Sequence, residues 1–136
     1  VTDVDRQAER LIMKKILLVE DDPWLIDVYS TKLKQTGFEV FVAQSGEKAL
    51  EAAEEQQPDL VLLDIVLPHV DGWDILSSLR ASKKLKGVQI VILSNLGQKE
   101  EITKGLELGA AKYLIKAHYT PSEIVQEVIN LIGNPT

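Results

Sequence analysis

The sequence predicts a doubly wound α/β fold: a (βα)5 three-layer sandwich around one five-stranded parallel sheet. Short, unbroken apolar runs such as residues 60–63 are typical of strands that are buried on both faces of a parallel sheet. Segments with apolar residues at helical spacing alternate with these runs. Short helical crossovers favour parallel strands with helices on both faces of the sheet. The expected strand order is 2-1-3-4-5, with the topological switch point between strands 1 and 3.

Apolar runs and the residues that bound them indicate where the strands lie. We predict them at residues 16–19, 38–42, 60–63, 88–93 and 112–115. The second alternates weakly and contains β-branched and aromatic residues, whereas the others are largely continuous apolar runs. The last strand follows Gly109, a natural left-handed end for the helix before it.

Capping residues place the helices. We predict them at residues 23–36, 46–57, 72–84, 98–108 and 121–132. Asp22 and Pro23 are typical of an N-cap and a first helical position, and Gly37 is typical of the end of that helix. Thr120 and Glu123 have the spacing of a capping box at the start of the last helix.

Length and charge limit the possible functions. The chain has 136 residues and 45% hydrophobic content, as expected for one globular domain. Its net charge of −6 argues against a nucleic-acid-binding surface, which needs clustered Lys and Arg. The absence of cysteine excludes a disulfide framework and a thiolate metal site. Because no apolar run is long enough to span a bilayer, we expect a soluble, cytoplasmic protein without membrane contact.

We divide the chain into three parts. Residues 1–13 form an extension that we expect to be loosely ordered or a short helix. Residues 1–12 of it are polar and charged, and Met13 looks like a natural start. Residues 14–133 form the folded domain, and residues 134–136 form a short tail.

Polar side chains follow four of the five strands. They are Glu20 and Asp21 after the first, Asp64 after the third, Ser94 at the end of the fourth and Lys116 after the fifth. Two unit charges of the same sign about 4 Å apart near a protein surface repel each other by about 4 kcal/mol. The three carboxylates therefore need a compensating cation. Lys116 and a hard cation, Mg²⁺ or Mn²⁺, are the candidates. With a metal bound, a carboxylate such as Asp64 can attack a phosphoryl group.

Each of these residues also has a purely structural interpretation. The acidic run at residues 20–22 could simply cap a helix, since acids are favoured at the positive end of the helix dipole. Ser94 could form a turn and Lys116 could be a solvated surface lysine. Asp64 taken alone is better explained as a turn residue, and the other strand ends are what favour a reacting group.

Four segments together resemble the receiver domain of two-component response regulators over about residues 14–133. They are ILLVEDDP at 16–23, LVLLDIVLPHVDGWDIL at 60–76, VILSNLG at 91–97 and GAAKYLIK at 109–116. Each segment is moderately specific, and all four in this order and spacing are highly specific. The resemblance implies the flavodoxin-like, CheY-like form of the predicted fold.

The resemblance also implies a reaction at Asp64. This residue would accept phosphate from the phosphohistidine of a sensor histidine kinase, or from a histidine phosphotransfer protein. Asp21 would bind Mg²⁺ directly and Glu20 through water, and Val66 would offer its backbone carbonyl to the metal. The protein would be a self-phosphorylating acceptor with slow autodephosphorylation, rather than an enzyme.

The same resemblance implies a conformational switch. Ser94 matches the hydroxyl that turns toward the phosphoryl group, and Lys116 matches the lysine that pairs with it. Tyr113 matches the aromatic whose rotamer reports the switch, although packing alone could explain an aromatic residue there. The surface formed by helix 4, strand 5 and helix 5 would change its affinity for an unidentified downstream protein, or for a second copy of the chain.

The chain departs from the family pattern near the site. Receivers usually have a proline, preceded by a cis peptide, after the lysine, and here the residue is Ala117. A trans bond could re-aim Lys116, and Asn95 could restrict access to the phosphoryl group. The side chains that tune hydrolysis in the family correspond to Val66 and Leu96, which are both apolar, so we expect a long-lived phosphoaspartate.

Three other functions agree less well with the sequence. The departures at Asn95 and Ala117 are compatible with a pseudo-receiver, an interaction module without productive phosphotransfer. A dehalogenase-like hydrolase is disfavoured because it needs a second aspartate at the position of Val66. A dinucleotide-binding fold is disfavoured because no G-x-G-x-x-G follows the first strand.

Overall fold

The computed structural model describes residues 12–136, so most of the predicted extension lies outside the described residues. The strands are β1 Lys15–Val19, β2 Glu39–Ala43, β3 Leu60–Leu63, β4 Gln89–Ser94 and β5 Lys112–Ile115. The helices are α1 Pro23–Thr36, α2 Gly46–Gln56, α3 Gly72–Ala81, α4 Lys99–Glu107 and α5 Pro121–Ile132. Short 3-10 turns lie at Lys83–Leu85 and Lys116–His118.

The five strands form one parallel sheet in the order β2-β1-β3-β4-β5, which confirms the predicted topology. Alternate residues of each central strand face opposite layers. Leu17 and Leu63 belong to the core that includes residues of α2 and α3, whereas Leu18 and Leu62 belong to the core that includes residues of α1 and α5. Burial on both faces explains why these strands are almost continuously apolar.

Local capping signals set most of the helix boundaries. Asp22 accepts hydrogen bonds from the backbone N–H groups of Trp24 (2.9 Å) and Leu25 (3.3 Å), and α1 ends at Gly37 in the left-handed region. Both hydrogen bonds of the capping box predicted for Thr120 and Glu123 are present at the start of α5.

The end of α3 differs from the predicted residue 84. The helix stops at Ala81, because Ser82 is extended and a 3-10 turn follows. The Arg80 guanidinium donates hydrogen bonds to the carbonyls of Leu85 (2.7 Å) and Val88 (2.9 Å). These bonds close the turn against the start of β4, which is a tertiary effect that helical periodicity does not report.

The amino edge of the sheet holds the C-terminal tail. The backbone N–H of Lys14 donates to the carbonyl of Pro135 at 2.8 Å, and the Lys14 ammonium donates to the carbonyl of Ile132. The Asp59 carboxylate accepts from the backbone N–H of Lys15 at 2.8 Å. Within residues 12–136, none of the helices has the length and apolar character needed to cross a bilayer.

Candidate functional site

The carboxyl edge of the sheet brings four of the predicted site residues into a largely buried cluster. Glu20 follows β1, Asp64 follows β3, Ser94 ends β4 and Lys116 follows β5. Glu20 is 2% exposed, Asp64 5% and Ser94 0%. Because parallel strands deliver their last side chains to one edge, residues up to 96 positions apart meet here.

Lys116 is the cation of this cluster. Its ammonium donates to Glu20 Oε2 and to Asp64 Oδ2, each at 2.7 Å. The Lys116 side chain is 10% exposed, so the ion pairs are shielded from water. The Lys116–Ala117 peptide is trans, and the lysine nevertheless reaches both acids.

Burial and charge set the protonation of the cluster. Burial raises the pKa of Glu20, and the Lys116 ammonium offsets this only in part. Burial alone would lower the pKa of Lys116, but hydrogen bonds and charge from Asp64 and Glu20 outweigh it, so its pKa is raised. The lysine is therefore held as a cation, while burial disfavours the ionised form of Glu20.

Asp21 completes a group of three acids. One carboxylate oxygen from each of Glu20, Asp21 and Asp64 lies within 4.8 Å of the others. Asp21 is exposed, so the group faces solvent on one side. Hard oxygen donors at this spacing, with room for water, fit the ligand preferences of Mg²⁺ or Mn²⁺.

Backbone groups orient the reactive carboxylate and hydroxyl. The backbone N–H of Val66 donates to Asp64 Oδ1 at 2.9 Å, which leaves the Val66 side chain 55% exposed beside the site. Leu96 N–H approaches Ser94 Oγ at 3.3 Å. The Tyr113 hydroxyl donates to the Leu96 carbonyl at 2.5 Å. Leu96 thus links the hydroxyl and the aromatic through its backbone, a role that the sequence does not signal.

Residues around the cluster form its rim. Trp24 is 70% exposed and Asn95 is also exposed. Both line a cavity of about 290 Å³ that reaches Lys116 and Ala117. His69 and His118 are exposed, and neither belongs to the acidic group.

A sequence model described as "Response regulator receiver domain" matches residues 16–129 of the chain. The chain is 40% identical to the DNA-binding response regulator MtrA of Mycolicibacterium smegmatis, over 85% of the chain and 49% of MtrA. The chain spans about half the length of the curated relatives it matches.

Solved structures agree with this similarity. The BeF3-activated N-terminal receiver domain of RstA from Klebsiella pneumoniae is 34% identical, with a TM-score of 0.76 over 87% of this chain and 97% of that one. The receiver domain of a sensor histidine kinase from Pseudomonas aeruginosa is 30% identical, with a TM-score of 0.80 over 90% of this chain and 99% of that one. The latter structure has a magnesium ion coordinated in its active site cleft.

Proposed function

Because the chain belongs to the family of response regulator receiver domains, we propose that Asp64 is its phosphoacceptor and that phosphorylation switches its affinity for a partner. The donor is the phosphohistidine of a sensor histidine kinase or of a histidine phosphotransfer protein. The observation that carries the proposal is the Asp64 carboxylate at the carboxyl edge, 2.7 Å from the Lys116 ammonium and beside two further acids.

The transfer is a substitution at phosphorus. An Asp64 oxygen forms the new P–O bond while the P–N bond of the phosphohistidine breaks, and the electron pair of that bond remains on the imidazole. Lys116 is held as a cation, so it stabilises negative charge on the phosphoryl oxygens. The Val66 backbone N–H holds the other Asp64 oxygen and fixes the orientation of the carboxylate.

A divalent cation supports this reaction. Asp21, Asp64 and the Val66 carbonyl would hold Mg²⁺ or Mn²⁺ directly, and Glu20 would hold it through water. When bound, the metal neutralises charge on the acids and on the phosphoryl group. The magnesium in the cleft of the Pseudomonas aeruginosa receiver supports this assignment by similarity.

The response passes through Ser94 and Tyr113. Ser94 is buried at the end of β4, which neighbours β3, the strand that Asp64 follows, and Leu96 connects Ser94 to the Tyr113 hydroxyl. A phosphoryl group at Asp64 attracts the Ser94 hydroxyl and shifts the face formed by α4, β5 and α5, where a downstream protein or a second copy of the chain binds. Relatives such as MtrA are DNA-binding regulators, which supports a role in the control of transcription.

Intact mass after incubation with acetyl phosphate and Mg²⁺ tests the proposal. The expected result is one phosphoryl adduct that is absent with a chelator and in Asp64→Asn. Asp59→Asn is the matched control, because Asp59 is an exposed acid at the opposite edge of the sheet that binds the backbone of Lys15. Retention of the adduct in Asp64→Asn would overturn the proposal. A parent protein that forms no adduct and binds no Mg²⁺ would also overturn it.

A further inference from the structure

The strand β2 lies at one edge of the sheet, and its outer side is not paired with another strand within residues 12–136. At the two ends of β2, the N–H of Glu39 donates to a carbonyl on the β1 side at 3.0 Å, and the carbonyl of Ala43 accepts an N–H from that side at 3.1 Å. Successive residues of a strand direct their backbone groups to opposite sides. The N–H and C=O groups of Val40 and Val42 therefore point away from the sheet.

The strand β2 lacks the features that usually protect an edge. Edge strands are commonly protected by lysine, proline, a bulge or a very short length. The five residues of β2 include neither lysine nor proline, and the one charged residue, Glu39, stands at the start of the strand. Pairing with β1 is continuous over all five residues, without a bulge. The other edge strand, β5, has four residues and begins with Lys112, so β2 is the edge better suited to accept another strand.

A groove of about 560 Å³ runs beside β2 and provides room for an added strand. Val42 and Gln44 line the groove from the sheet, and Lys48, Glu51 and Glu55 line it from α2. The Val42 side chain is 37% exposed. A strand added here buries the apolar surface of Val42 and brings its own side chains against α2.

The charges beside this groove favour a cationic occupant. Glu47, Glu51 and Glu55 are exposed and repeat at every fourth residue of α2, so their carboxylates repel one another along one face of the helix. None of the three forms an ion pair with another of residues 12–136. Glu55 lies in the last turn of α2, which contains no basic residue and where the helix dipole disfavours negative charge. Basic side chains of a partner would relieve both effects.

A second copy of the chain fits the same edge less well. Antiparallel pairing of β2 with β2 around a two-fold axis would place the two α2 helices next to each other on one side of the joined sheet. The carboxylates of Glu51 and Glu55 from both copies would then lie across the junction from one another. Because like charges facing each other are unfavourable, the edge favours a basic partner over a second copy.

We propose that the outer edge of β2 is a docking surface for an extended, basic segment of another protein. The segment adds a strand beside β2, pairs with the free backbone groups of Val40 and Val42, and places lysine or arginine side chains against Glu51 and Glu55. Since alternate side chains of a strand share one face, the segment carries its basic residues at every second position. The proposal is independent of phosphorylation at Asp64.

NMR with a peptide of about six alternating lysine and valine residues tests the docking directly. When the peptide is bound, the amides of Val40 and Val42 are expected to exchange hydrogen more slowly, because they gain carbonyl partners. Exchange of the Phe41 amide, which faces β1, is expected to stay unchanged. Absence of binding, or binding without protection of Val40 and Val42, would overturn the proposal.

Backbone controls separate strand addition from general attraction. The same peptide methylated on every backbone nitrogen keeps its charge but cannot donate to β2, so it is expected not to bind. Val42→Pro removes an outward N–H and no bond to β1, and it should also prevent binding. If that variant does not fold, Val42→Lys places a repelling charge at the same exposed position. Undiminished affinity for the methylated peptide, or in a folded Val42 variant, would contradict strand addition.

The acids of α2 are tested by a matched pair of double variants. Glu51→Gln with Glu55→Gln should weaken peptide binding about fivefold, because two exposed ion pairs are lost. Glu100→Gln with Glu107→Gln removes the same charge from exposed positions of α4 and should leave the affinity unchanged. Equal weakening in the two double variants would show that net charge alone attracts the peptide, and the proposed surface would be wrong.

Light scattering of the protein without peptide tests the alternative occupant. Val42→Lys is expected to leave the molecular mass in solution unchanged. A dimer that Val42→Lys converts to a monomer would show that the edge binds a second copy, and would overturn the choice of a basic partner. Failure of the proposed function would appear differently, as no phosphoryl adduct on the parent protein.

Discussion

The two edges of the sheet use lysine for different purposes. At the amino edge, the Lys14 ammonium donates to the carbonyl of Ile132 at the end of α5, and Lys15 donates to the carbonyl of Gln56 at the end of α2 (3.4 Å). At the carboxyl edge, the Lys116 ammonium is shared by the carboxylates of Glu20 and Asp64. The amino edge pairs cations with backbone carbonyls, and the carboxyl edge pairs one cation with an excess of acid.

The two edges therefore differ in whether their charges are balanced. Lysines at the ends of helices satisfy free carbonyls and are favoured by the helix dipole, so the amino edge is electrostatically satisfied. The carboxyl edge has three acids close together and one ammonium bound to two of them. Its remaining negative charge is a cost to the fold that favours binding of a divalent cation.

Removal of each lysine gives the largest expected contrast. Lys116→Met leaves buried carboxylates without a cation and should lower the free energy of unfolding by about 3 kcal/mol at pH 7 without divalent metal. Lys14→Met loses a hydrogen bond to a carbonyl and should cost about 1 kcal/mol. Urea unfolding with and without Mg²⁺ measures both.

Mg²⁺ sharpens this contrast. It should recover part of the stability lost in Lys116→Met, because the metal replaces the missing positive charge, and should leave the deficit of Lys14→Met unchanged. Equal losses in the two variants, or equal recovery with Mg²⁺, would remove the distinction between the two edges.

The lifetime of the phosphoaspartate is the next largest effect. The apolar Val66 side chain is 55% exposed beside Asp64, where a polar group could orient an attacking water. Val66→Asn should accelerate loss of the adduct by about tenfold, which corresponds to about 1.4 kcal/mol in the barrier. Val42→Asn is the control, since Val42 is 37% exposed on the outer strand β2. If the phosphoaspartate of the parent protein decays as fast as that of Val66→Asn, the role given to the apolar side chain is refuted.

Local signals in the sequence account for the parts that were predicted well. Asp22 and Pro23 set the start of α1, and Thr120 and Glu123 set the start of α5, through hydrogen bonds within a few residues. Apolar runs ending in polar residues also placed the carboxyl-edge residues on adjoining strands, because parallel topology brings strand ends together.

Contacts between distant residues account for what the sequence did not reveal. The backbone bridge through Leu96 and the hydrogen bonds from Arg80 to the carbonyls of Leu85 and Val88 each depend on the packed positions of several elements. The binding of Pro135 to the amino edge is of the same kind. Their residue types have no distinctive spacing, so periodicity and capping rules are silent about them.

The pH dependence of stability is the smallest expected effect. Burial raises the pKa of Glu20 above 4.5, so the folded state retains a proton that the unfolded state has lost between 4.5 and the folded value. Without metal, stability should therefore rise as the pH falls through the folded pKa of Glu20 toward 4.5, and Glu20→Gln should abolish this rise. Thermal unfolding at several pH values measures it.

Glu123 provides the opposite sign in the same molecule. Hydrogen bonds from the backbone and the side chain of Thr120 lower the pKa of Glu123, so its contribution is present above pH 4.5 and is lost as the pH falls through the lowered value. Glu123→Gln should remove that acid-side loss and leave the Glu20 effect intact. If both variants changed the pH profile in the same direction, burial would not be what distinguishes the acid at the carboxyl edge from an exposed helix cap.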